Sequence, residues 1–333
     1  MPQKKQNMNK INNATILVTG GAGFIGSYVV EELLTHNPAK IVIIDNFIRG
    51  SHANMKNFSG NPLVEIHEGD IRDAALLEKC IAGCDYVFHM AALRINACAA
   101  NQQDGFEVML QATFNLANLC LKHKIKKVIY SSSASVYGLA QHFPTPESDN
   151  PYNNQTFYGA AKMWGEQLFR SYKFMHGLDY VALRYFNVYG ERMDTDGKYT
   201  EVMIKWLDCI RDNNQPAIFG DGKDTMDFVH VKDVAHSNVL ALLADVTDEA
   251  FNVGYQRETS LLELLETLLS VNDSKLTPVF KEANSVNPVA KRIADISKAE
   301  TLLGYQPSIS LEEGLKHLST WYFNLQKEKT TAS

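Results

Sequence analysis

The stretch TILVTGGAGFIGSYVVEEL, residues 15–33, decides the fold. It begins with a run of apolar residues typical of a buried strand and ends in an amphipathic helix. Three glycines, Gly20, Gly23 and Gly26, fall between the strand and the helix. A glycine-rich turn that joins a strand to a helix in this way predicts a site for a dinucleotide pyrophosphate.

Five further strand-like runs follow up to residue 185, and helix-like stretches separate them. They are continuously apolar rather than alternating, as in parallel strands that are buried on both faces. The runs are residues 40–45, 63–67, 85–89, 127–131 and 180–185. Alternation of this kind predicts the α/β class, with a doubly wound parallel sheet.

The pattern becomes looser after about residue 185, where loops and short helices at 259–270 and 311–325 are predicted. We therefore expect a flexible tail at 1–13, a dinucleotide-binding domain at 14–184 and a smaller C-terminal, mainly substrate-binding lobe at 185–328. Some segments of that lobe are expected to pack back on the first domain. Loop-rich segments at the carboxyl ends of such a sheet usually carry substrate contacts.

Each glycine of the turn has a predicted role. Gly20 allows the tight turn, Gly23 lets the backbone approach the pyrophosphate, and Gly26 permits close packing of the helix on the strand. Phe24 and Ile25 stand at the start of the helix, whose amino terminus faces the phosphates. We assign both residues to the same predicted site.

An acidic residue ends the second predicted strand. Asp45 lies 25 residues after Gly20, where a carboxylate accepts hydrogen bonds from both ribose hydroxyls. It would repel a 2′-phosphate, so NAD is favoured as the cofactor, and the nearby Arg49 keeps NADP open as an alternative. Asn46 is assigned to the same site.

The next two strands end in residues that suit the same cofactor. Asp70 and Ile71 follow the third strand, and Ala91 and Ala92 follow the fourth. Small residues at a strand end let a cofactor lie close, while Asp70 can accept a hydrogen bond from an adenine amino group. Arg94, just beyond, is a candidate contact of the pyrophosphate.

A tyrosine, a lysine and a serine form the candidate catalytic group. Tyr158 and Lys162 are four residues apart in a predicted helix, so both side chains project from one face. An ammonium group beside a phenol lowers the phenol pKa and favours its action as a base. Ser133 belongs to a serine run at the end of the fifth strand and can hydrogen-bond a reacting oxygen.

These motifs together resemble the extended short-chain dehydrogenase/reductases of the NAD-dependent epimerase/dehydratase family, especially members similar to UDP-glucose 4-epimerase. The first domain would then be a Rossmann domain. The resemblance covers nearly the whole chain and rests on GGAGFIG (20–26), DN (45–46), GDI (69–71), SSSASVYG (131–138), YGAAK (158–162), RYFNVYG (184–190), DFVHVKDVA (227–235) and RIADISKA (292–299).

The resemblance implies a reaction at a sugar hydroxyl of a nucleotide sugar. Tyr158 would take the proton of the 4-hydroxyl while hydride passes to NAD, and Ser133 would orient that hydroxyl. Lys162 would bind the nicotinamide ribose and lower the pKa of Tyr158. The resemblance further implies that Asn187 and Arg292 contact the sugar diphosphate and that Tyr185 flanks the nicotinamide.

The chain departs from the family at two informative places. Related 4,6-dehydratases carry an Asp-Glu pair where this chain has Ala134 and Ser135, neither of which exchanges a proton usefully at neutral pH. Family members usually have an arginine that contacts the diphosphate where this chain has Met226. Arg192 or Lys205 is the candidate replacement for that arginine.

Composition and charge indicate which binding partners and which cell compartment to expect. The net charge of -6 and the absence of any Lys- and Arg-rich cluster argue against a nucleic-acid partner. The five cysteines form no CxxC pair, so neither a disulfide framework nor a metal site is predicted. No apolar run approaches the roughly 20 residues of a membrane span, and a cytoplasmic location is expected.

Two predicted helices, 106–121 and 158–175, are apolar on more than one face. One face of each must pack on the sheet. The other predicts a homodimer, although a C-terminal segment that covers these helices would account for the pattern nearly as well.

The sequence thus predicts an NAD-dependent nucleotide-sugar 4-epimerase. Two enzymatic alternatives remain on the same scaffold, a nucleotide-sugar reductase and a uronate decarboxylase. A non-catalytic protein that binds NAD or a nucleotide sugar is a third alternative, but mere binding does not require a tyrosine of lowered pKa.

Overall fold

The computed structural model describes residues 10–195, 201–282 and 289–332. Its strands are β1 Thr15–Thr19, β2 Lys40–Asp45, β3 Val64–Glu68, β4 Tyr86–His89, β5 Lys127–Ser133, β6 Asp179–Tyr185, β7 Asn187–Tyr189, β8 Ala217–Phe219, β9 Thr225–Met226, β10 Phe228–His230, β11 Glu249–Val253, β12 Thr259–Ser260, β13 Val279–Lys281 and β14 Lys291–Arg292. Seven of them form the central sheet, in the order β11-β6-β5-β4-β1-β2-β3. Every neighbouring pair is parallel, which confirms the predicted doubly wound sheet.

Helices cover both faces of this sheet. They are α1 Phe24–Leu34, α2 Ala74–Ile81, α3 Ile95–Ala100, α4 Gln102–Phe106, α5 Ala112–Lys122, α6 Phe157–His176, α7 Val202–Arg211, α8 Val231–Leu243, α9 Leu261–Val271, α10 Ser297–Leu303 and α11 Leu311–Ala332. Helices α1 and α8 pack on one face, and α2, α5 and α6 pack on the other. None of the helices in the described residues is long and apolar enough to cross a membrane.

The first strand shows why the apolar runs are continuous. Ile16 and Val18 point into the core beneath α1 and α8, whereas Leu17 between them points into the core beneath α2, α5 and α6. All three side chains are fully buried. A strand between two helical layers needs apolar residues on both faces.

The C-terminal lobe has a core of its own. Helices α7, α9 and α11 supply most of its buried residues, among them Met203, Ile204, Trp206, Leu207, Leu264, Leu265, Leu268, Leu315, Leu318 and Tyr322. Short strands join in small sheets, β12-β9-β14, β10-β7 and β13-β8. The two helices expected at 259–270 and 311–325 are α9 and α11.

The seventh strand of the central sheet was not identified from the sequence. Strand β11 lies in the range assigned to the smaller lobe, yet it pairs with β6 in parallel, with Phe251 opposite Leu183. Its run EAFNV has only three apolar residues. An edge strand needs less apolar sequence, because only one of its sides is covered by another strand.

The predicted tail at 1–13 needs a correction at its end. Residues 1–9 lie outside the described part of the chain, but Ile11 is fully buried in the core beneath α1 and α8. Lys10 donates hydrogen bonds to the Ala244 carbonyl and to Asp245 at the end of α8. An apolar side chain that a neighbouring helix end covers is ordered, so the folded chain begins before Ala14.

The helix expected at 106–121 is interrupted. Between α4 and α5 the residues Glu107–Gln111 form a π-helical turn. This wider turn places Met109 in a buried position, where its Sδ accepts the N–H of Leu93. A single π-helical turn shifts the following residues around the helix axis, which a pattern of 3.6 residues per turn does not reveal.

Candidate active site

Gly20 and Gly26 of the glycine-rich turn have the geometry that their predicted roles require. Gly20 has φ +73°, and a Cβ built on it would lie 2.9 Å from Ala91 Cα. A Cβ on Gly26 would lie 2.1 Å from the Gly20 carbonyl oxygen, so the helix packs too closely for any side chain there. Helix α1 starts at Phe24, and no side chain of the described residues caps its first N–H groups, which can therefore bind an anion.

A cavity of about 170 Å³ lies in front of this turn, at the carboxyl ends of β1 to β4. A dinucleotide is expected at this edge of a doubly wound sheet, where the strand order reverses between β1 and β4. The predicted residues that line the cavity are Gly20, Gly23, Asp45, Asn46, Asp70, Ile71, Ala91 and Ala92. Phe24 and Ile25 do not line it with their side chains.

Asp45 holds the glycine-rich turn as well as facing the cavity. Its Oδ2 accepts the N–H of Ala22 and its Oδ1 accepts the N–H of Phe47, both at 2.9 Å. Burial raises the pKa of the Asp45 carboxyl, although these hydrogen bonds act in the opposite direction. A carboxylate has about four acceptor sites, so Asp45 retains capacity for ribose hydroxyls.

Asp70 also lines the cavity, at the end of the neighbouring strand β3. Arg72 donates to both of its oxygens, at 3.0 and 2.9 Å, and Asn46 Nδ2 donates to Oδ2 at 2.9 Å. The Arg72 hydrogen bonds hold the pKa of Asp70 at about 2. Asp70 is therefore an ionised acceptor, and Asn46 acts on the site through it.

The catalytic candidates converge where β5 meets α6. Ser133 is the last residue of β5, and Tyr158 and Lys162 lie on successive turns of α6. Thr156 begins this helix, because its side chain accepts the N–H of Gly159 at 3.0 Å. A Cβ on Gly159 would lie 2.4 Å from the Ser135 carbonyl oxygen, so α6 approaches the end of β5 closely.

Burial shifts both titrating groups of the site. It raises the pKa of Tyr158 to about 12, while a hydrogen bond with Ser133 and the charges of Arg94 and Arg292 act against that rise. Burial lowers the pKa of Lys162 to about 8. Lys162 Nζ donates to the Ser131 carbonyl at 2.5 Å and lies 5.7 Å from the centroid of the Tyr158 ring.

A second, smaller cavity adjoins the catalytic group. It is lined by Ile95, Ser135, Gly138, Leu139, Asn153, Asn154, Gln155, Thr156, Val289 and Arg292. Arg292 is the predicted diphosphate contact and lines this cavity, and its charge acts against the rise in the pKa of Tyr158. Met226 lies directly beside Arg292, because β9 and β14 pair in parallel with these two residues in register.

Other predicted residues are engaged elsewhere. Asn187 Nδ2 donates to the Asp227 carbonyl at 3.0 Å. Tyr185 Oη donates to Asn238 Oδ1 at 2.8 Å and contacts Ser131 Oγ at 3.1 Å, so its side chain lies within the core. Any contact of Tyr185 with the nicotinamide is therefore left to its backbone.

The arginine expected to replace the missing diphosphate contact is bound to α1. Arg192 lies 4.1 Å from the centroid of the Tyr28 ring and donates to Ser27 Oγ at 3.0 Å and to Glu31. It lines a large cleft that does not include Arg292, and Arg94, which pairs with Glu201, lines the same cleft. The position of Arg192 therefore gives no support to a contact with the sugar diphosphate. Lys205 is an exposed residue of α7.

A buried ion pair beneath the catalytic group was not identified from the sequence. Glu166 follows Lys162 by one helical turn, and Arg184 Nε and Nη2 donate to its two carboxylate oxygens at 2.9 and 2.6 Å. Ser132 Oγ also donates to Glu166. The four-residue spacing of Tyr158 and Lys162 continues to Glu166, so the same periodicity pointed to this residue.

Known proteins resemble this chain over most of its length. A family model described as the NAD dependent epimerase/dehydratase family matches residues 16–254. A UDP-glucose 4-epimerase of Halalkalibacterium halodurans is 32% identical over 328 residues, covering 92% of this chain and 95% of the relative. A UDP-N-acetyl-alpha-D-glucosaminuronate decarboxylase of Bacillus cytotoxicus is 30% identical over 324 residues, covering 94% and 98%.

A solved structure is similar over a comparable range. The UDP-N-acetylglucosamine 4-epimerase of Methanobrevibacter ruminantium, in complex with UDP-N-acetylmuramic acid, superimposes with a TM-score of 0.88 and 33% identity. The match covers 94% of this chain and 99% of that one. Relatives of this chain therefore carry out more than one reaction on UDP-sugars.

Proposed function

The chain belongs to the NAD-dependent epimerase/dehydratase family, and within it we propose that the chain is a nucleotide-sugar 4-epimerase that works through a transient 4-keto sugar. The proposed substrate is a UDP-hexose or a derivative of one. The proposed catalytic residues are Ser133, Tyr158 and Lys162.

This proposal rests on which residues at the active site can transfer a proton. Tyr158 and Ser133 lie at the junction of β5 and α6, and neither of the two positions after Ser133 holds a carboxyl group. Ala134 is buried, and Ser135 faces the smaller cavity with a neutral hydroxyl. Elimination of water across C5 and C6 needs an acid and a base there, so reversible oxidation at C4 is favoured.

NAD bound in front of the glycine-rich turn would supply the hydride chemistry at C4. Gly20, Gly23 and the start of α1 would hold its pyrophosphate, and Asp45 would bind the adenosine ribose. Tyr158 Oη takes the proton of the 4-hydroxyl and later gives it back. Ser133 Oγ holds the reacting oxygen in line with Tyr158.

The positive charge of Lys162 is proposed to lower the activation barrier of proton transfer to Tyr158. Its ammonium group favours the phenolate form of Tyr158, because an opposite charge at short range stabilises an anion in a buried site. Its donor groups also bind the ribose next to the nicotinamide. The Ser131 carbonyl holds the Lys162 side chain against the end of β5 at the same time.

Arg292 is the proposed contact of the sugar diphosphate. A guanidinium group binds phosphate oxygens through two parallel hydrogen bonds, and Arg292 presents one beside Tyr158. Met226, its neighbour across the strands, has no group that pairs with a phosphate. The diphosphate is therefore expected to depend on Arg292 more than it does in relatives with a second arginine.

The protein is further proposed to act as a homodimer. Phe106 of α4, Phe114 of α5 and Phe174 of α6 leave large exposed apolar side chains on the helical layer that covers one face of the sheet. Exposed aromatic residues of this kind on neighbouring helices are typical of protein interfaces.

The proposal is tested by incubating the purified protein with UDP-glucose, UDP-N-acetylglucosamine, UDP-glucuronate and their dTDP and GDP counterparts. The sugar C4 proton coupling is followed by NMR. We expect at least one UDP-sugar to reach an equilibrium with its C4 epimer without added cofactor.

Two other outcomes would identify the alternatives. Release of carbon dioxide from a uronate, with a UDP-pentose as product, would establish a decarboxylase, the activity named for the Bacillus cytotoxicus relative. Conversion that stops after one equivalent of reduced cofactor would establish a reductase. Either result, without epimerisation, would defeat the proposal.

A further inference from the structure

Three side chains from distant parts of the sequence meet in the C-terminal lobe. Glu191 lies just after β7, His230 ends β10, and His317 lies on α11. One ligating atom of each lies within 4.8 Å of those of the other two. We propose that Glu191, His230 and His317 bind a divalent transition-metal ion of the zinc class.

The atoms that would bind the ion are buried and form no aligned hydrogen bond. Within the described residues, Glu191 Oε2, His230 Nε2 and His317 Nδ1 are all buried atoms without a hydrogen-bond partner. They are three of only four such side-chain atoms in that part of the chain. Buried polar groups nearly always have a partner, so three unpaired atoms that converge on one point indicate an occupant between them.

The donor set selects the class of ion. Two imidazoles and one carboxylate are the ligands of zinc sites that keep a fourth position open. Calcium and magnesium prefer sites built from oxygen atoms alone. Glu191 and His317 also line the large cleft next to α1, through which water can reach the fourth position.

The distance between two of these atoms is close to that expected for two ligands of one ion. Zinc binds nitrogen and oxygen at about 2.1 Å, so two ligands of a tetrahedral ion lie about 3.4 Å apart. His230 Nε2 lies 3.1 Å from Glu191 Oε2 without forming an aligned hydrogen bond. A ring nitrogen of His317 lies within 4.8 Å of a ligating atom of each of the other two residues, and its side chain would move toward them to complete the set.

The neighbouring Lys232 limits the way in which the site binds an ion. Its Nζ lies 3.1 Å from Glu191 Oε1, which leaves Oε2 for the metal. His230 Nδ1 accepts the N–H of Lys232 at 3.3 Å. Ligation through Nε2 requires a proton on Nδ1, so this long hydrogen bond must be given up when the metal binds.

A bound ion would add a direct link between α11 and the β10-β7 sheet, which already contact each other. It would join α11 to the end of β10 and to the segment after β7. None of the three ligands lines the cofactor cavity or the smaller cavity beside Tyr158. The proposed role is therefore structural, and its test does not depend on the reaction that the enzyme catalyses.

The experiment is a titration of the untagged, chelator-treated protein with Zn²⁺ in competition with a chromophoric chelator. We expect one tightly bound ion per chain and a higher melting temperature in its presence. Glu191→Gln and His317→Ala should each weaken binding at least tenfold. His176→Ala, which removes an exposed histidine at the end of α6, should bind as the wild type does.

Substitution with Co²⁺ provides a second readout on the wild-type protein. A four-coordinate site gives strong visible absorption, and we expect this absorption to disappear in His317→Ala. If the wild type binds no stoichiometric Zn²⁺ and shows no such absorption, the three atoms surround only water and the proposal is wrong. Equal binding by wild type, Glu191→Gln and His317→Ala would overturn it as well.

Discussion

The buried environment of Tyr158 disfavours ionisation of its phenol near neutral pH. Burial raises its pKa to about 12, which exceeds the combined effect of the Ser133 hydrogen bond and the Arg94 and Arg292 charges. Lys162 Nζ lies 5.7 Å from the centroid of the Tyr158 ring and is a candidate source of further positive charge. Tyr158 is therefore expected to act as a base only when the rest of the site, including the cofactor, is in place.

The first prediction concerns the Tyr158 hydroxyl alone. Tyr158→Phe should retain NAD, since it leaves the cavity in front of the glycine-rich turn intact. It should lower turnover by roughly 10² to 10⁴-fold, the usual effect of removing a general base. NMR of the epimerisation measures turnover, and absorbance after denaturation measures bound NAD. Near-normal turnover would contradict the role of Tyr158.

The second prediction concerns the pH at which Tyr158 ionises. Because its pKa in the cofactor-free protein is about 12, the phenol should stay protonated at pH 7–10. Oxidised NAD brings a positive charge next to it and should move the ionisation into that range. The ultraviolet difference spectrum between wild type and Tyr158→Phe measures phenolate directly. Identical titrations with and without NAD would exclude this coupling.

At the level of elements, α6 is positioned by its close approach to β5. A Cβ on Gly165 would lie 2.2 Å from Tyr130 Oη, and one on Gly159 would lie 2.4 Å from the Ser135 carbonyl oxygen. Tyr130 is fully buried, so it has little freedom to move away. The helix that carries Tyr158 and Lys162 is therefore held at a fixed distance from Ser133.

The third prediction tests this packing. Gly165→Ala should lower the free energy of unfolding by about 1–3 kcal/mol, the usual cost of overpacking a core. It should also lower turnover, because α6 must move away from β5. Gly60→Ala is the control, since a Cβ there would meet nothing within 4 Å. Chemical denaturation checks both, and equal stability of the two variants would contradict the prediction.

The fourth prediction concerns the ion pair beneath the site. Glu166 and Arg184 are 5% and 8% exposed, so removing one charge leaves the other buried and unpaired. Glu166→Ala should therefore lower the free energy of unfolding by about 3–5 kcal/mol. Glu258→Ala, in an exposed ion pair with Lys291, should cost less than about 1 kcal/mol. If Glu166→Ala lowers the free energy of unfolding as little as Glu258→Ala does, the Arg184 charge has found another partner.

At the level of the whole molecule, the exposed aromatic residues of α4, α5 and α6 lead to the fifth prediction. Phe106, Phe114 and Phe174 are 46%, 45% and 73% exposed. Sedimentation at micromolar concentration should give the mass of two chains, and Phe114→Asp should give one. Phe280→Asp changes an equally exposed residue on β13 and should leave the dimer intact. A wild-type monomer would contradict the dimer.

The sequence alone determined the features that depend on neighbouring residues. The central strands up to β6 and the α/β class follow from apolar runs, and the glycine-rich turn follows from the spacing of Gly20, Gly23 and Gly26. The common face of Tyr158 and Lys162 follows from helical periodicity. These features are local, because the backbone repeats every two residues in a strand and every 3.6 in a helix.

Only the tertiary structure decided which distant residues meet. It paired β11 with the central sheet, placed Met226 beside Arg292, and bound Arg192 to Glu31 instead of presenting it beside Arg292. It also assembled Glu191, His230 and His317, whose positions in the sequence suggest no metal site. Such contacts depend on how helices and strands pack across the whole chain, which no local periodicity encodes.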